Sequence, residues 1–170
     1  MKRDIGLIIA ILVLVLIVVV MLTQHKEIEK VVTFELVGPT SVRVGEDVRI
    51  DIVVENVDRA QGVQADITFT PDILQYQRVE EGDFLNRGGT EATAFMDEIN
   101  TEVPGEITGL EIIKAGTGVS GNGTIASMYF KAIGQGNAEL GIPRATVGRI
   151  ANGEAVQSEV RTKTLTFRVS

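Results

Sequence analysis

The chain has 170 residues, no cysteine and a formal net charge of −7. This length predicts one domain with a terminal extension. The acidity argues against nucleic acid as a partner, because binding nucleic acid requires basic groups that neutralise phosphates, and the lack of cysteine excludes disulfides and thiolate zinc sites.

The start of the chain predicts a membrane anchor. A short basic N-terminus, residues 1–4, precedes an uncharged run, IGLIIAILVLVLIVVVML (5–22), and a polar juxtamembrane stalk, TQHKEIEK (23–30). Eighteen residues of helix span about 27 Å, close to a hydrocarbon core of about 30 Å. A cleaved signal peptide and a pilin-like terminus are the alternatives, but no A-x-A-like cleavage site and no glutamate just inside the run are present. We expect a single-pass protein of the cell membrane with its C-terminal domain extracytoplasmic.

Residues 31–170 predict an all-β domain. In VRIDIVVE (48–55) and KTLTFRV (163–169), apolar and polar positions alternate with the period of two that is typical of strands. Glycine-rich turn segments separate such runs. We expect nine short strands, which indicate an antiparallel sandwich or barrel. Their predicted bounds are 31–37, 48–56, 62–70, 74–80, 91–98, 106–114, 123–133, 138–148 and 161–169.

The strand GVQADITFT (62–70) has a polar row. Its apolar positions, Val63, Ala65, Ile67 and Phe69, predict the core-facing side. Its other side carries Gln64, Asp66, Thr68 and Thr70. This row is either a solvated strand surface or part of a surface that binds a partner, and the residues alone leave both open.

No motif indicates catalysis. GTGVSG (116–121) matches G-x-G-x-x-G, but a strand-like segment follows it where a dinucleotide site needs a helix. His25 is the only histidine and lies beside the predicted anchor, so the domain has no Ser-His-Asp triad or histidine metal cage. Glu80, Glu81 and Asp83 lack the spacing of a calcium-binding loop. Their spacing also does not require the pair of facing acids that a glycosidase needs, so we interpret them as solvated turn residues. We expect no enzyme.

The order of five segments resembles a cohesin domain, the module that receives dockerins in cellulosome-type assemblies. These segments are VGEDVRIDIVVENV (44–57), GVQADITFTPDILQY (62–76), VEEGDFL (79–85), NGTIASMYFKAIG (122–134) and ATVGRIANGEAV (145–156). The resemblance implies a nine-stranded β-sandwich of jelly-roll type that binds its partner through a relatively flat sheet face.

The resemblance also implies which residues contact the partner. Asp66 matches a partner-contacting acid and Gln64 a contacting amide, with Thr68 beside them. Leu110 matches an apolar contact and Gly116 an adjacent turn contact. The sequence departs from the family pattern at Ile113, where a contacting glutamate is common. No cofactor is expected on this chain, and calcium, if involved, belongs to the dockerin.

The sequence therefore predicts a membrane-anchored, non-catalytic module that captures a dockerin-like partner at the cell surface. One alternative is a structural component of an envelope or secretion assembly that uses the same sandwich. A carbohydrate-binding module is a further alternative, although the chain has no tryptophan and two tyrosines from which to build an aromatic platform for a polysaccharide.

Overall fold

The structure is a computed structural model that describes residues 31–87, 93–96, 102–151 and 154–170. Twelve strands occur in these ranges, and no helix does. In chain order they are β1 (Val32–Val37), β2 (Ser41–Val42), β3 (Asp47–Ala60), β4 (Gly62–Phe69), β5 (Leu74–Glu81), β6 (Thr93–Met96), β7 (Glu106–Lys114), β8 (Val119–Ala132), β9 (Gly136–Ala151), β10 (Glu154–Gln157), β11 (Val160–Lys163) and β12 (Leu165–Val169).

The strands form two sheets. The first sheet has the order β11-β1-β3-β8-β5. The second has the order β2-β12-β9-β4-β7-β6, and β10 pairs with the far end of β9. Most pairs are antiparallel, but β11 runs parallel to β1 and β12 runs parallel to β2. The predicted all-β sandwich is therefore confirmed.

The core lies between the sheets, where both contribute alternate apolar residues. From the first sheet come Phe34, Ile50, Ile52 and Phe130, and from the second come Ile67, Ile112, Leu140 and Val147. Phe69 of the second sheet packs against Phe130 of the first, with ring centroids 5.2 Å apart. Burial of such rings removes much apolar surface from water, which is the main favourable term in folding.

The predicted ninth strand, 161–169, is wrong as a single element. Residues before Thr164 form β11 and pair with β1 of the first sheet, whereas residues after it form β12 and pair with β9 of the second. The chain thus changes sheets within one apolar-alternating run. The short strands β2 and β10 were also not predicted, because two and four residues carry too little alternation to identify a strand.

The predictions for the start of the chain fall outside the described residues. These are the N-terminus 1–4, the anchor 5–22 and the stalk 23–30. The described residues contain no helix that could span a membrane.

Candidate functional site

The predicted contact strand is central in the second sheet. β4 lies between β9 and β7, so its polar row faces away from the core on the outer side of the sheet. Gln64 is half-buried there, opposite Glu111 of β7 and Thr146 of β9. Thr68 is half-buried as well. We call the outer side of β4, β7 and β9 the second-sheet face.

Two β-bulges flank the middle of β4. On the β7 side, Ala65 pairs with Leu110 but Ile67 pairs with Ile107, so β7 has one extra residue. Gly109 lies in this bulge with φ +86°, a conformation that favours glycine. On the β9 side the register shifts between Asp66 and Thr68, so that Ile142 and Pro143 together lie opposite Ile67. Proline is compatible with a strand at such a point because it has no N–H to donate.

The interpretation of Asp66 as an accessible acid is wrong. The residue is only 6% exposed, although it lies in the polar row. Its Oδ1 accepts a hydrogen bond from the Gly109 backbone N–H at 3.4 Å, and its Oδ2 lies 3.3 Å from Nε of Arg144. The side chain of Arg144 is 72% exposed, so the buried carboxylate is paired with a group that lies largely in solvent. Little of Asp66 is therefore open to a partner, and both of its oxygens already have a contact.

The predicted apolar contact at Leu110 is also wrong, because this side chain is 2% exposed and belongs to the core. The bulge at Gly109 is the cause. Ile107 is buried before the bulge, and the extra residue changes the alternation so that Leu110 and Ile112 are buried after it. Ile113, the position of the departure from the family pattern, is consequently outward and 40% exposed.

Gly116 lies in the exposed loop that follows β7, with φ +80°. Its carbonyl oxygen accepts a hydrogen bond from Nε2 of Gln61 at 2.5 Å. The same glutamine side chain accepts, through Oε1, the backbone N–H of Ile150 at 2.7 Å. Gln61 thus holds the loop against the end of β9, and Gly116 lies at the edge of the second-sheet face. Its role as a partner contact stays a prediction.

The β9 side of the face was not predicted from the sequence. Gly62 pairs with Gly148 of β9 on one side and with Ile113 of β7 on the other, so all three lie in one row. Ile150 follows two residues after Gly148 and is 63% exposed. A Cβ added at Gly62 would meet nothing nearer than 3.9 Å, and one at Gly148 nothing nearer than 4.0 Å. The two glycines therefore leave an open floor next to Ile113 of β7 and Ile150 of β9, and we call these four residues the Ile113–Ile150 trough.

The outer face of the first sheet differs, because its polar groups bind one another. Nε of Arg49 lies 2.8 Å from Asp51, whose Oδ1 also accepts the hydroxyl of Ser127 at 2.7 Å. The hydrogen bond with Asp51 raises the pKa of Arg49 above its usual range. These contacts are those of a solvated, internally paired strand surface.

A second cluster on the first sheet is similarly self-contained. The Arg78 guanidinium lies 3.8 Å from the ring centroid of Tyr129, and both side chains donate hydrogen bonds to Glu80. These bonds, from Arg78 first and Tyr129 second, lower the pKa of Glu80. Because Tyr129 is covered by a guanidinium, its ring is not presented as a flat sugar-stacking surface.

No metal cluster is apparent in the described ranges: nowhere in them do three or more His, Asp or Glu side chains lie close enough to hold an ion. The expectation that any calcium belongs to the partner stays a prediction.

Comparison with known proteins identifies the fold. The sequence model described as Cohesin domain matches residues 32–168. No curated protein matches the sequence significantly.

Solved structures of cohesin modules have a similar fold. The seventh ScaB type I cohesin from Pseudobacteroides cellulosolvens has a TM-score of 0.64 and 14% identity, covering 82% of this chain and 92% of the other. A non-cellulosomal cohesin from Archaeoglobus fulgidus has a TM-score of 0.61 and 19% identity, covering 83% and 92%. The sixth cohesin of scaffoldin B from Acetivibrio cellulolyticus, solved in complex with a Cel5 dockerin variant, has a TM-score of 0.61 and 13% identity, covering 83% and 100%.

Proposed function

The chain belongs to the cohesin domain family, and from that membership we propose that it is a non-catalytic module that binds a dockerin-like partner. Support comes from a relative of the same fold, the Acetivibrio cellulolyticus cohesin, which was solved with a dockerin bound. The absence of catalytic motifs from the sequence agrees with a binding role. The solved relatives are 13–19% identical to this chain and support its fold, whereas a dockerin-like partner for this chain is our proposal.

We place the docking surface on the second-sheet face, and the Ile113–Ile150 trough is the observation that carries this choice. Exposed apolar side chains that cluster on one face of a protein mark interaction sites, whereas single ones occur on most surfaces. Neighbouring strands lie about 4.8 Å apart and residues rise about 3.4 Å along a strand, so two strand spacings and an offset of two residues place Ile113 and Ile150 about 12 Å apart. This separation matches an α-helix, which with its side chains is about 10–12 Å wide.

The glycine floor is what allows a helix to approach. A larger side chain at Gly62 or Gly148 would occupy the floor of the trough, since a Cβ at either position has open space around it. Without those side chains, apolar residues of a partner helix can reach the sheet and contact Ile113 and Ile150 together. The surrounding polar residues, such as Gln64 and Thr146, then form a rim that supplies specificity.

Isothermal titration calorimetry of the full chain, in dodecyl maltoside, against each dockerin module encoded in the same genome tests the proposal. We expect one or more dockerins to bind in calcium and to lose binding in EGTA, because the ion would be held by the dockerin. Gly62→Trp should abolish binding, since the indole would fill the floor. Gln75→Trp is the matched control, because Gln75 is exposed on β5 of the first sheet.

Three results would count against the proposal. If no dockerin released heat, the alternative of a structural part in an envelope or secretion assembly would replace it. If dockerins bound Gly62→Trp as tightly as the wild type, the docking surface would lie elsewhere. Retention of the chain on cellulose, chitin or peptidoglycan would instead favour the carbohydrate-binding alternative.

We further propose that residues 5–22 anchor the module in the cell membrane with the sandwich outside. The uncharged run supports this proposal. Resistance of the chain to extraction by alkaline carbonate, together with digestion of the sandwich by protease added to intact cells, is the expected result. Release of the chain by carbonate would refute the anchor.

A further inference from the structure

An exposed arginine lies on the β9 side of the second-sheet face, next to Asp66 of the central strand β4. Arg144 has its Nε 3.3 Å from Oδ2 of Asp66, and its side chain is largely in solvent whereas that of Asp66 is more than nine-tenths buried. The carboxylate is itself fixed, because Oδ1 accepts the N–H of Gly109 in the β7 bulge. The buried Asp66 carboxylate therefore fixes the position of Arg144 through Nε of the guanidinium.

The outer part of that guanidinium is available to a partner. Among the described residues, Arg144 makes no ion pair or side-chain hydrogen bond other than its contact with Asp66. Its two terminal nitrogens are consequently free to donate. A guanidinium fixed at one edge presents a planar pair of donors, the geometry that a carboxylate accepts with two parallel hydrogen bonds.

A partner that contacts Asp66 instead of Arg144 is disfavoured. A hydroxyl or a basic group of a partner that displaced Arg144 from this carboxylate would leave the buried acid with Gly109 as its remaining donor in this chain. Breaking such a pair is costly because a buried charge is left uncompensated. A basic group would also meet the exposed arginine first and be repelled by it.

We infer that Arg144, positioned by Asp66, is the specificity-determining contact of the second-sheet face and selects a partner that presents a carboxylate at this point. The inference rests on the proposed docking face and deepens it by naming the chemistry of the partner. It reverses the polarity that the family resemblance implies, because this chain donates next to Asp66, where an accepting acid was expected.

The test uses a probe other than a dockerin, so that its outcome is separate from that of the dockerin titrations. A phage-displayed library of a three-helix scaffold, randomised on its exposed helix positions, is selected on the full chain in dodecyl maltoside. Binders that also recognise Gly62→Trp are discarded, which keeps those that occupy the second-sheet face. A parallel selection uses Arg144→Glu.

We expect the wild-type selection to enrich aspartate or glutamate at one helix position and the Arg144→Glu selection to enrich lysine or arginine there. The acid-bearing binders should bind Arg144→Gln about tenfold more weakly, since a charge-assisted pair is lost. In Arg144→Gln the buried Asp66 carboxylate loses its cation, which could itself disturb the face. The double variant Asp66→Asn/Arg144→Gln removes this buried charge, and it should show the same loss of affinity. Enrichment of lysine, serine or threonine against the wild type, or unchanged affinity of the double variant, would overturn the inference.

Asp66→Asn tests the positioning role of Asp66. Asparagine keeps an oxygen for the Gly109 N–H but loses the charge that holds Arg144. Binding of acid-bearing binders should weaken several-fold, whereas the same binders with the acid changed to glutamine should be unaffected. Equal weakening of both sets would indicate a merely structural role and contradict the positioning of Arg144 by Asp66.

Discussion

Truncation of both isoleucines of the trough is the most direct measure of what the second-sheet face contributes to binding. Fully burying an isoleucine side chain contributes about 1.5–3 kcal/mol. Ile113 is 40% exposed and Ile150 is 63% exposed, so the fraction that a partner can still bury is about half of each side chain. The double variant Ile113→Ala/Ile150→Ala, which keeps both β carbons, should therefore lose about 2 kcal/mol of binding free energy, or about thirtyfold in Kd.

The assay is calorimetric titration of the full chain with the dockerin that binds most tightly. Ile133→Ala is the matched control, because Ile133 is a 47% exposed isoleucine that follows β8 of the first sheet. Its truncation should leave the Kd unchanged. Equal losses for the control and the double variant, or a loss below twofold for the double variant, would refute the assignment of the docking surface to the trough.

Three further predictions concern stability. Phe130→Ala should lower the free energy of unfolding by about 3–5 kcal/mol in urea denaturation, because the ring is fully buried and contacts Phe69. Gly118→Ala should cost about 2 kcal/mol in the same assay, since its Cβ would lie 2.1 Å from the backbone carbonyl oxygen of Arg59. Hydrogen bonds from Arg78 and Tyr129 lower the pKa of Glu80 in the folded chain. The ionised Glu80 therefore stabilises the fold at pH values above the usual glutamate pKa, and this stabilisation is lost as the pH falls through the lowered pKa. Glu80→Gln should therefore reduce Tm at neutral pH and flatten the decline of Tm between pH 5 and the acid limit of the assay.

Each of these predictions has a matched control. Phe95→Ala truncates a half-buried ring at the sheet edge and should cost clearly less than Phe130→Ala. Gly148→Ala should be nearly neutral, because a Cβ there meets nothing nearer than 4.0 Å, and equal costs for the two glycines would contradict the steric argument. Glu159→Gln is the matched variant for Glu80→Gln, because within the described residues this exposed glutamate has no side-chain partner. A slope for Glu80→Gln that equals the wild type would argue against the hydrogen bonds to Glu80.

The fold was predictable because strand alternation is a local property. Val48, Ile50, Ile52 and Val54 of β3 are all buried, as their spacing predicts. The change of sheet at Thr164 was not predictable in the same way, because the residues on both sides keep an alternating pattern. Pairing of β11 with β1 and of β12 with β9 depends on residues far away in the sequence, and periodicity has no information about which sheet a strand joins.

The candidate site was only partly predictable. β4 was correctly identified as a strand with a polar outer row, and Gln64 and Thr68 lie in that row. The prediction that Asp66 is accessible was wrong because Arg144 lies opposite it on β9. That strand is about eighty residues away in the chain, so the sequence does not show the pairing. Gly148 and Ile150, which belong to the proposed docking surface, were missed for the same reason, since a single sequence does not show that β4 and β9 are neighbours.

The two bulges explain why the exposed features of this face fall where they do. Ile107 is buried before Gly109, and uninterrupted alternation would turn Ile113 towards the core and Leu110 towards solvent. One extra residue reverses this arrangement.

The same reversal occurs in β9. Leu140 and Ile142 are buried before Pro143, whereas Val147 is buried after it, so the inward positions change from even to odd numbers. Uninterrupted alternation would point Arg144 and Ile150 into the core, where neither the guanidinium nor the edge of the trough could meet a partner. Both halves of the proposed recognition, the apolar trough and the donating arginine, therefore depend on two inserted residues that flank Asp66. Since a bulge changes the direction of every later side chain in its strand, a relative of this fold without these bulges would present a different set of groups from similar strands.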